Sequence, residues 1–164
     1  MKDNDAGTGL FSYTQILHLL KIEFSRARRY QYELSCILLE IDRLGGLGDL
    51  HGADVRDRIE DSVADLLNRH SRSCDFVGRL GERFVVVLPH TDAAGATLLA
   101  QRLHDRVSKL DVNVDDRRHP VSVSVGVSTQ DGDESIFFDS VLKQAELALG
   151  EVISRGGDSV KLSD

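Results

Sequence analysis

Gly81-Glu82 separates two apolar stretches, Asp75 to Leu80 and Phe84-Val85-Val86-Val87-Leu88-Pro89. Two residues between strands leave room only for a tight antiparallel hairpin. Glycine at the first central position takes φ > 0 without steric cost, as the turns that suit twisted strands require. The run after the turn is branched and apolar, the composition of a buried strand. The tip carries one acid, Glu82, and two arginines, Arg79 and Arg83. Exposed tips on rigid hairpins are where function tends to sit.

Elements on either side follow from periodicity. Ser12 with Gln15 predicts a capping box, opening a helix with Ile16, Leu17, Leu20, Phe24 and Ala27 on one face. Arg26-Ala27-Arg28-Arg29 puts cations at its C-terminus, where the dipole favours them. Leu34 to Asp42 is too continuously apolar for an edge and predicts a buried strand. Arg43 to Gly52, with four glycines, predicts a loop. A helix follows from Asp54 to Asn68, its inner face Val55, Ile59, Val63, Leu66 and Leu67.

After the hairpin, Asp92 to Leu110 predicts a helix with Leu98, Leu99, Leu103 and Val107 inward, and Asp111 to Pro120 a solvent loop. Val121 to Ser128 alternates Val and Ser, predicting a strand with one apolar face. Gly132 and its acidic neighbours predict a loop. Ser140 to Ser154 predicts a last helix ended by Gly156-Gly157, and Ser159 to Leu162 an edge strand. The order from Leu34 to Ser128 is therefore β-α-β-β-α-β, the ferredoxin-like arrangement of an antiparallel sheet with helices packed on one side. The fold class is α+β, one domain over residues 1–164 with 1–12 as an N-terminal motif or extension. No repeat, linker or low-complexity segment interrupts it.

Bulk properties narrow the functions. With 27 acids against 20 bases the net charge is −7, which argues against general nucleic-acid binding. A small anionic ligand at a local arginine cluster stays compatible with that charge. No apolar run approaches the ~20 residues of a membrane span, and Met1-Lys2-Asp3-Asn4-Asp5 lacks the apolar core of a secretory signal. Cys36 and Cys74 read as reduced thiols, which points to a cytoplasmic protein. The histidines show no metal spacing, and His51 and His70 read as exposed. The residues alone predict no cofactor.

Six motifs in order carry a family resemblance. They are Asp5-Ala6-Gly7-Thr8-Gly9-Leu10, Glu40-Ile41-Asp42, Gly52 with Asp57, Arg79-Leu80-Gly81-Glu82-Arg83-Phe84, Val121 to Val127, and Ala145-Glu146 with Ala148-Leu149. Together they resemble the GGDEF domains of bacterial diguanylate cyclases, from Asp5 to Val160. The resemblance implies the GGDEF form of the ferredoxin-like, nucleotidyl-cyclase palm-like fold. It also shows a degenerate pattern. Glu40 stands where the family has a metal-binding Asp, and Glu82 for the loop's metal-binding acid, so both are vestigial metal candidates. Arg83 replaces the following acid. Gly48 stands for the guanine-contacting Asn, Gly45 for a Lys, Ile153 for the phosphate-binding Lys, Gly150 for a Tyr and Gly157 for an Arg. The loop is one residue short of the family's R-Y-G-G-[DE]-E-F.

These losses lead to the expectation that the chain is not an enzyme, with no catalytic residues and Mg²⁺ relevant only to residual cyclase activity. Arg72-Ser73-Cys74-Asp75 resembles the R-x-x-D inhibitory site at which family members bind cyclic di-GMP, and Arg102 the third contact there. Guanine offers O6 and N7 to an arginine and its N1–H and N2–H₂ donors to a carboxylate. Arg72 and Asp75 also suit a plain i,i+3 surface pair. The expected function is an inactive receptor for cyclic di-GMP. The alternatives are a nucleotide-independent scaffold, binding a protein partner or forming a homodimer, and a weak diguanylate cyclase.

Overall fold

The computed structural model describes residues 9–130, 137 and 139–164. The predicted entry motif at residues 5–8 and the loop around Gly132 lie outside the described residues. In chain order the elements are α1 (Tyr13–Tyr30), β1 (Leu34–Ile41), α2 (Leu44–His51), α3 (Ala53–His70), β2 (Phe76–Leu80), β3 (Arg83–Pro89), α4 (Ala93–Ser108), β4 (Val112–Val114), β5 (Arg117–His119), β6 (Val123–Gln130), α5 (Ser140–Ser154) and β7 (Val160–Leu162). Ser12 caps α1 by accepting from the Gln15 amide at 3.4 Å.

Five strands form one sheet in the order β2-β3-β1-β6-β7. The first four have ferredoxin-like order and pair antiparallel. β7 adds parallel to β6, so the sheet is mixed rather than wholly antiparallel. Helices cover both faces, not one. Alternation along β1 sends Ile37, Leu39 and Ile41 into a core with Ile59, Val63 and Leu67 of α3 and Ala100 and Leu103 of α4. Leu34, Cys36 and Leu38 enter a second core with Ile16, Leu20 and Phe24 of α1 and Ala145 and Leu149 of α5. A sheet buried on both sides explains why β1 is continuously apolar and why β6 is buried on both faces. At Gly126 on β6, a Cβ would run into the Ala145 carbonyl and the Leu149 amide of α5, so helix and strand approach at a distance only glycine allows.

Three local expectations fail for identifiable reasons. Arg43 to Gly52 is largely the helix α2, because burying Leu44 and packing Leu47 against the core offset the glycines' poor helix propensity. Asp111 to Pro120 contains the β4–β5 hairpin, turning at Asp115 and Asp116 with φ of 54° and 60°. Both are in the left-handed region that short acidic side chains tolerate. Leu98 is 60% exposed, and Ala96 and Ala100 face the core with Leu103 and Val107.

Candidate functional site

Two charged regions flank the short strand β2. At its far end Leu80 pairs with Arg83, which leaves Gly81 and Glu82 as the whole turn, with Gly81 at φ 67°. Pairing of β1 with β3 sets Arg83 opposite Glu40, and their side chains meet at 3.1 Å. Glu82 is held at 2.8 Å by Arg56 of α3. Arg56 also holds Glu60 at 3.1 Å, and Arg79 holds Glu60 at 2.7 Å while its guanidinium lies 4.8 Å from the Phe84 ring. Donating hydrogen bonds to Glu60 first, then to Glu82, raises Arg56's pKa further. At Gly48 a Cβ would stand 3.3 Å from the Arg56 stem, a tight contact.

Glu40 and Glu82 thus each bind an arginine instead of converging. Asp42, two residues beyond Glu40, is occupied by the Ser122 and Ser124 hydroxyls, both at 2.6 Å, and by the Asp158 amide. Among the described residues no three His, Cys, Asp or Glu side chains converge on one point. As placed, these groups do not fit a divalent cation. Asp57 is exposed on α3 beside Asp54 and Asp61, and Gly150 and Ile153 lie on the outer turns of α5.

At the near end of β2 the structure brings Arg72, Asp75 and Arg102 to one cavity of about 570 Å³. Arg72 leaves α3 and Asp75 immediately precedes β2, three residues apart across a turn closed by the Asp75 amide to the Arg72 carbonyl. Asp75 takes the Arg72 amide at 2.8 Å, Nη2 at 3.0 Å and Nε at 3.4 Å. Although it bounds the cavity, its side chain is 0% exposed beneath Arg72. The carboxylate therefore positions the guanidinium rather than presenting itself. Arg72 Nη2 also donates to the Pro89 carbonyl and the Thr91 hydroxyl. Hydrogen bonding to Asp75 is the main cause of a raised Arg72 pKa.

The remaining walls were not legible as site residues. Tyr32 and His90 stack with ring centroids 3.6 Å apart, and the Tyr32 hydroxyl donates to buried Glu23 at 2.6 Å. Burial first, then that bond, raises the Tyr32 pKa. Glu33 stands beside them. The signal that would have found them is register. Leu34 pairs with Pro89, so residues just before β1 and just after β3 must lie side by side. His70, also on the wall, has its pKa lowered by burial first and then by Arg106, Arg69 and Arg102. Cys74 is exposed and next to Asp75, while the buried Cys36 thiol is pushed up to about 12 by desolvation and is inert.

Comparison with known proteins gives this geometry a family. The model of the diguanylate cyclase GGDEF domain matches residues 2–159, so the chain belongs to that family and to cyclic di-GMP signalling. It is 30% identical over 148 residues to diguanylate cyclase A of Treponema denticola, covering 89% of this chain and 39% of that protein. Identity is also 30% over 158 residues with diguanylate cyclase DgcM of Escherichia coli, covering 96% of this chain and 37% of that one. The chain thus spans well under half the length of these curated relatives. The crystal structure of diguanylate cyclase SiaD of Pseudomonas aeruginosa, in complex with its activator SiaC, has a TM-score of 0.90 at 28% identity, over 98% of this chain and 61% of that one. The GGDEF domain of DgcB from Caulobacter crescentus, in complex with c-di-GMP, shares the fold at TM-score 0.90 and 22% identity, over 97% and 94% of the two chains.

One expectation is overturned here. Relatives 26–30% identical over most of the chain are named diguanylate cyclases or probable ones, which points to an enzyme rather than a non-enzyme. Substitutions at individual motif positions misled because a family assignment rests on the whole fold, and the substrate groups are only a few residues of it. Among the described residues, no helix is long and apolar enough to cross a membrane.

Proposed function

We propose that this GGDEF domain is a cyclic di-GMP receptor, binding the dinucleotide in the cavity over Arg72, Asp75 and Arg102. The observation that carries the reading is the convergence of Arg72 and Asp75, from the turn between α3 and β2, with Arg102 of α4 on one concave site. The chemistry is complementary. Arg72 is fixed by a buried carboxylate yet 53% exposed, and its Nη1 makes no protein bond among the described residues. A fixed guanidinium suits guanine O6 and N7 or a phosphate oxygen without an ordering cost at binding. Arg102 is exposed and, among the described residues, makes no ion pair.

Calorimetric titration with cyclic di-GMP tests this. Saturable heat at micromolar protein is expected, with loss of most affinity in Arg72→Ala. Absence of heat, or wild-type affinity in Arg72→Ala, removes the proposal.

A second reading, a weak diguanylate cyclase, is favoured by the named activity of the relatives. Incubation with GTP and Mg²⁺, followed by chromatography, should then give a slow accumulation of cyclic di-GMP. No product after prolonged incubation removes it. Product binding in the cavity is independent of that outcome, because the hairpin tip and the cavity share no side chain.

A further inference from the structure

Two histidines from distant parts of the chain meet away from the cavity over Arg72. His51 is the last residue of α2 and His119 the last of β5. Their ring centroids lie 4.8 Å apart at an interplanar angle of 63°. His51 is exposed, whereas His119 is only 4% exposed. Both line a smaller cavity of about 170 Å³ with Val55, Val114, Asp115 and Arg117, and it shares no residue with the larger one.

Among the described residues neither imidazole makes a hydrogen bond or an ion pair. An edge-on aromatic pair accounts for the ring contact alone. It leaves the nitrogens of a nearly buried His119 without a partner, and buried polar atoms normally find one in protein, water or an ion. Those nitrogens are not sealed in. Thr97 Oγ1 is the only fully covered side-chain nitrogen or oxygen lacking a partner among the described residues. The His119 ring therefore opens to space, which the small cavity supplies.

The separation suits a shared metal. Two imidazoles on one metal, each nitrogen about 2 Å from it, hold their ring centres about 5 Å apart. Electrostatics favour a cation too. The carbonyl end of α2 carries partial negative charge beside His51, and Asp115 lines the cavity. Arg117 opposes a cation but is exposed, so solvent screens its charge. No third His, Cys, Asp or Glu side chain converges with the two rings among the described residues, which excludes a closed four-ligand site. Water would complete the coordination.

We propose that His51 and His119 form an open, two-histidine site for a divalent transition cation that prefers imidazole, such as Zn²⁺. Mg²⁺ demands oxygen ligands and does not suit it. The bound metal clasps the end of α2 to the β4–β5 hairpin. Helix α2 is a fitting target for such control, since its sequence LGGLGDLH holds three glycines and it buries only Leu44. Poor propensity and little burial make a helix that opens readily, and a clasp at its last residue holds it shut.

Calorimetric titration of Zn²⁺, with Mg²⁺ as control, into wild type, His51→Phe and His119→Phe tests the proposal, with circular dichroism confirming folding. Phenylalanine keeps the ring contact and removes the nitrogens. Wild type should bind one Zn²⁺ per chain and no Mg²⁺. Each variant should weaken Zn²⁺ binding by more than the roughly tenfold that losing a residue which merely supports a ligand costs. Zn²⁺ should also slow amide hydrogen exchange in α2 of wild type but not of His51→Phe. If His119→Phe does not fold, the imidazole ¹⁵N shifts of His119 in wild type take its place, and they should move as Zn²⁺ is added. No Zn²⁺ binding by wild type, wild-type affinity in either folded variant, or unmoved His119 shifts overturns the site. Unchanged exchange in α2 overturns the clasp.

Discussion

The two ends of β2 use arginine in opposite ways. At the hairpin tip each arginine has an acid of its own, in the chain Glu82–Arg56–Glu60–Arg79 and the pair Arg83–Glu40. In the cavity Arg72 has one buried acid behind it, while Arg102 has no ion-pair partner among the described residues. Charges that neutralise one another leave little field for a ligand. An arginine whose acid lies buried behind it keeps its outer face open to an anion. Local charge count does not separate the regions, since both are rich in Arg and Glu or Asp. What separates them is whether a strand register or a turn brings the opposite charge within reach.

The largest expected effect sharpens this contrast. Arg72→Ala should weaken cyclic di-GMP binding by about 10- to 100-fold, the scale of losing a charge-assisted hydrogen-bond donor. Arg83→Ala at the tip should change it less than about twofold, because that guanidinium already serves Glu40. Equal losses in the two variants, measured by calorimetry, would break the contrast. Next, Arg102→Ala should cost about fivefold, less than Arg72→Ala, because the side chain is exposed and must be ordered by the ligand.

A smaller effect concerns pH. His70 is held below its ordinary value by burial and by Arg106, Arg69 and Arg102. A phosphodiester offsets those cations, so the bound complex holds the proton more tightly than the free protein. Affinity should rise about twofold as pH falls from about 7.5 to 5.5, through the ordinary imidazole range, and His70→Gln should flatten the rise. Stability of the unliganded protein moves the other way. The unfolded chain takes up this proton first, so the contribution is lost as pH falls below the ordinary histidine value. Smallest of all, Arg83→Ala should lower stability by no more than about 1 kcal/mol in urea unfolding, since both partners of the pair are about a third exposed.

Much of the fold was legible because period and punctuation are local. Ser12 as a cap, the turn at Gly81 and the end of α5 at Gly156-Gly157 could be read from a few neighbouring residues. The failures were of another kind. Helix α2 and the β4–β5 hairpin form because Leu44, Val112 and His119 find a core, and no window of sequence contains that core. The enzyme question failed similarly, since motif positions were weighed singly while the relatives match across nearly the whole chain.

The residues themselves determined the β-α-β-β-α-β order of the main elements and the family, and the resemblance pointed to Arg72, Asp75 and Arg102. Only the folded chain decided that Asp75 would be buried behind Arg72, that Tyr32 and His90 would stack, and that Glu33 would line the same cavity. The physical reason is that antiparallel pairing of Leu34 with Pro89 joins segments more than fifty positions apart. That register sets Arg83 against Glu40 and brings Tyr32 beside His90, and residue spacing along the chain carries no record of either contact.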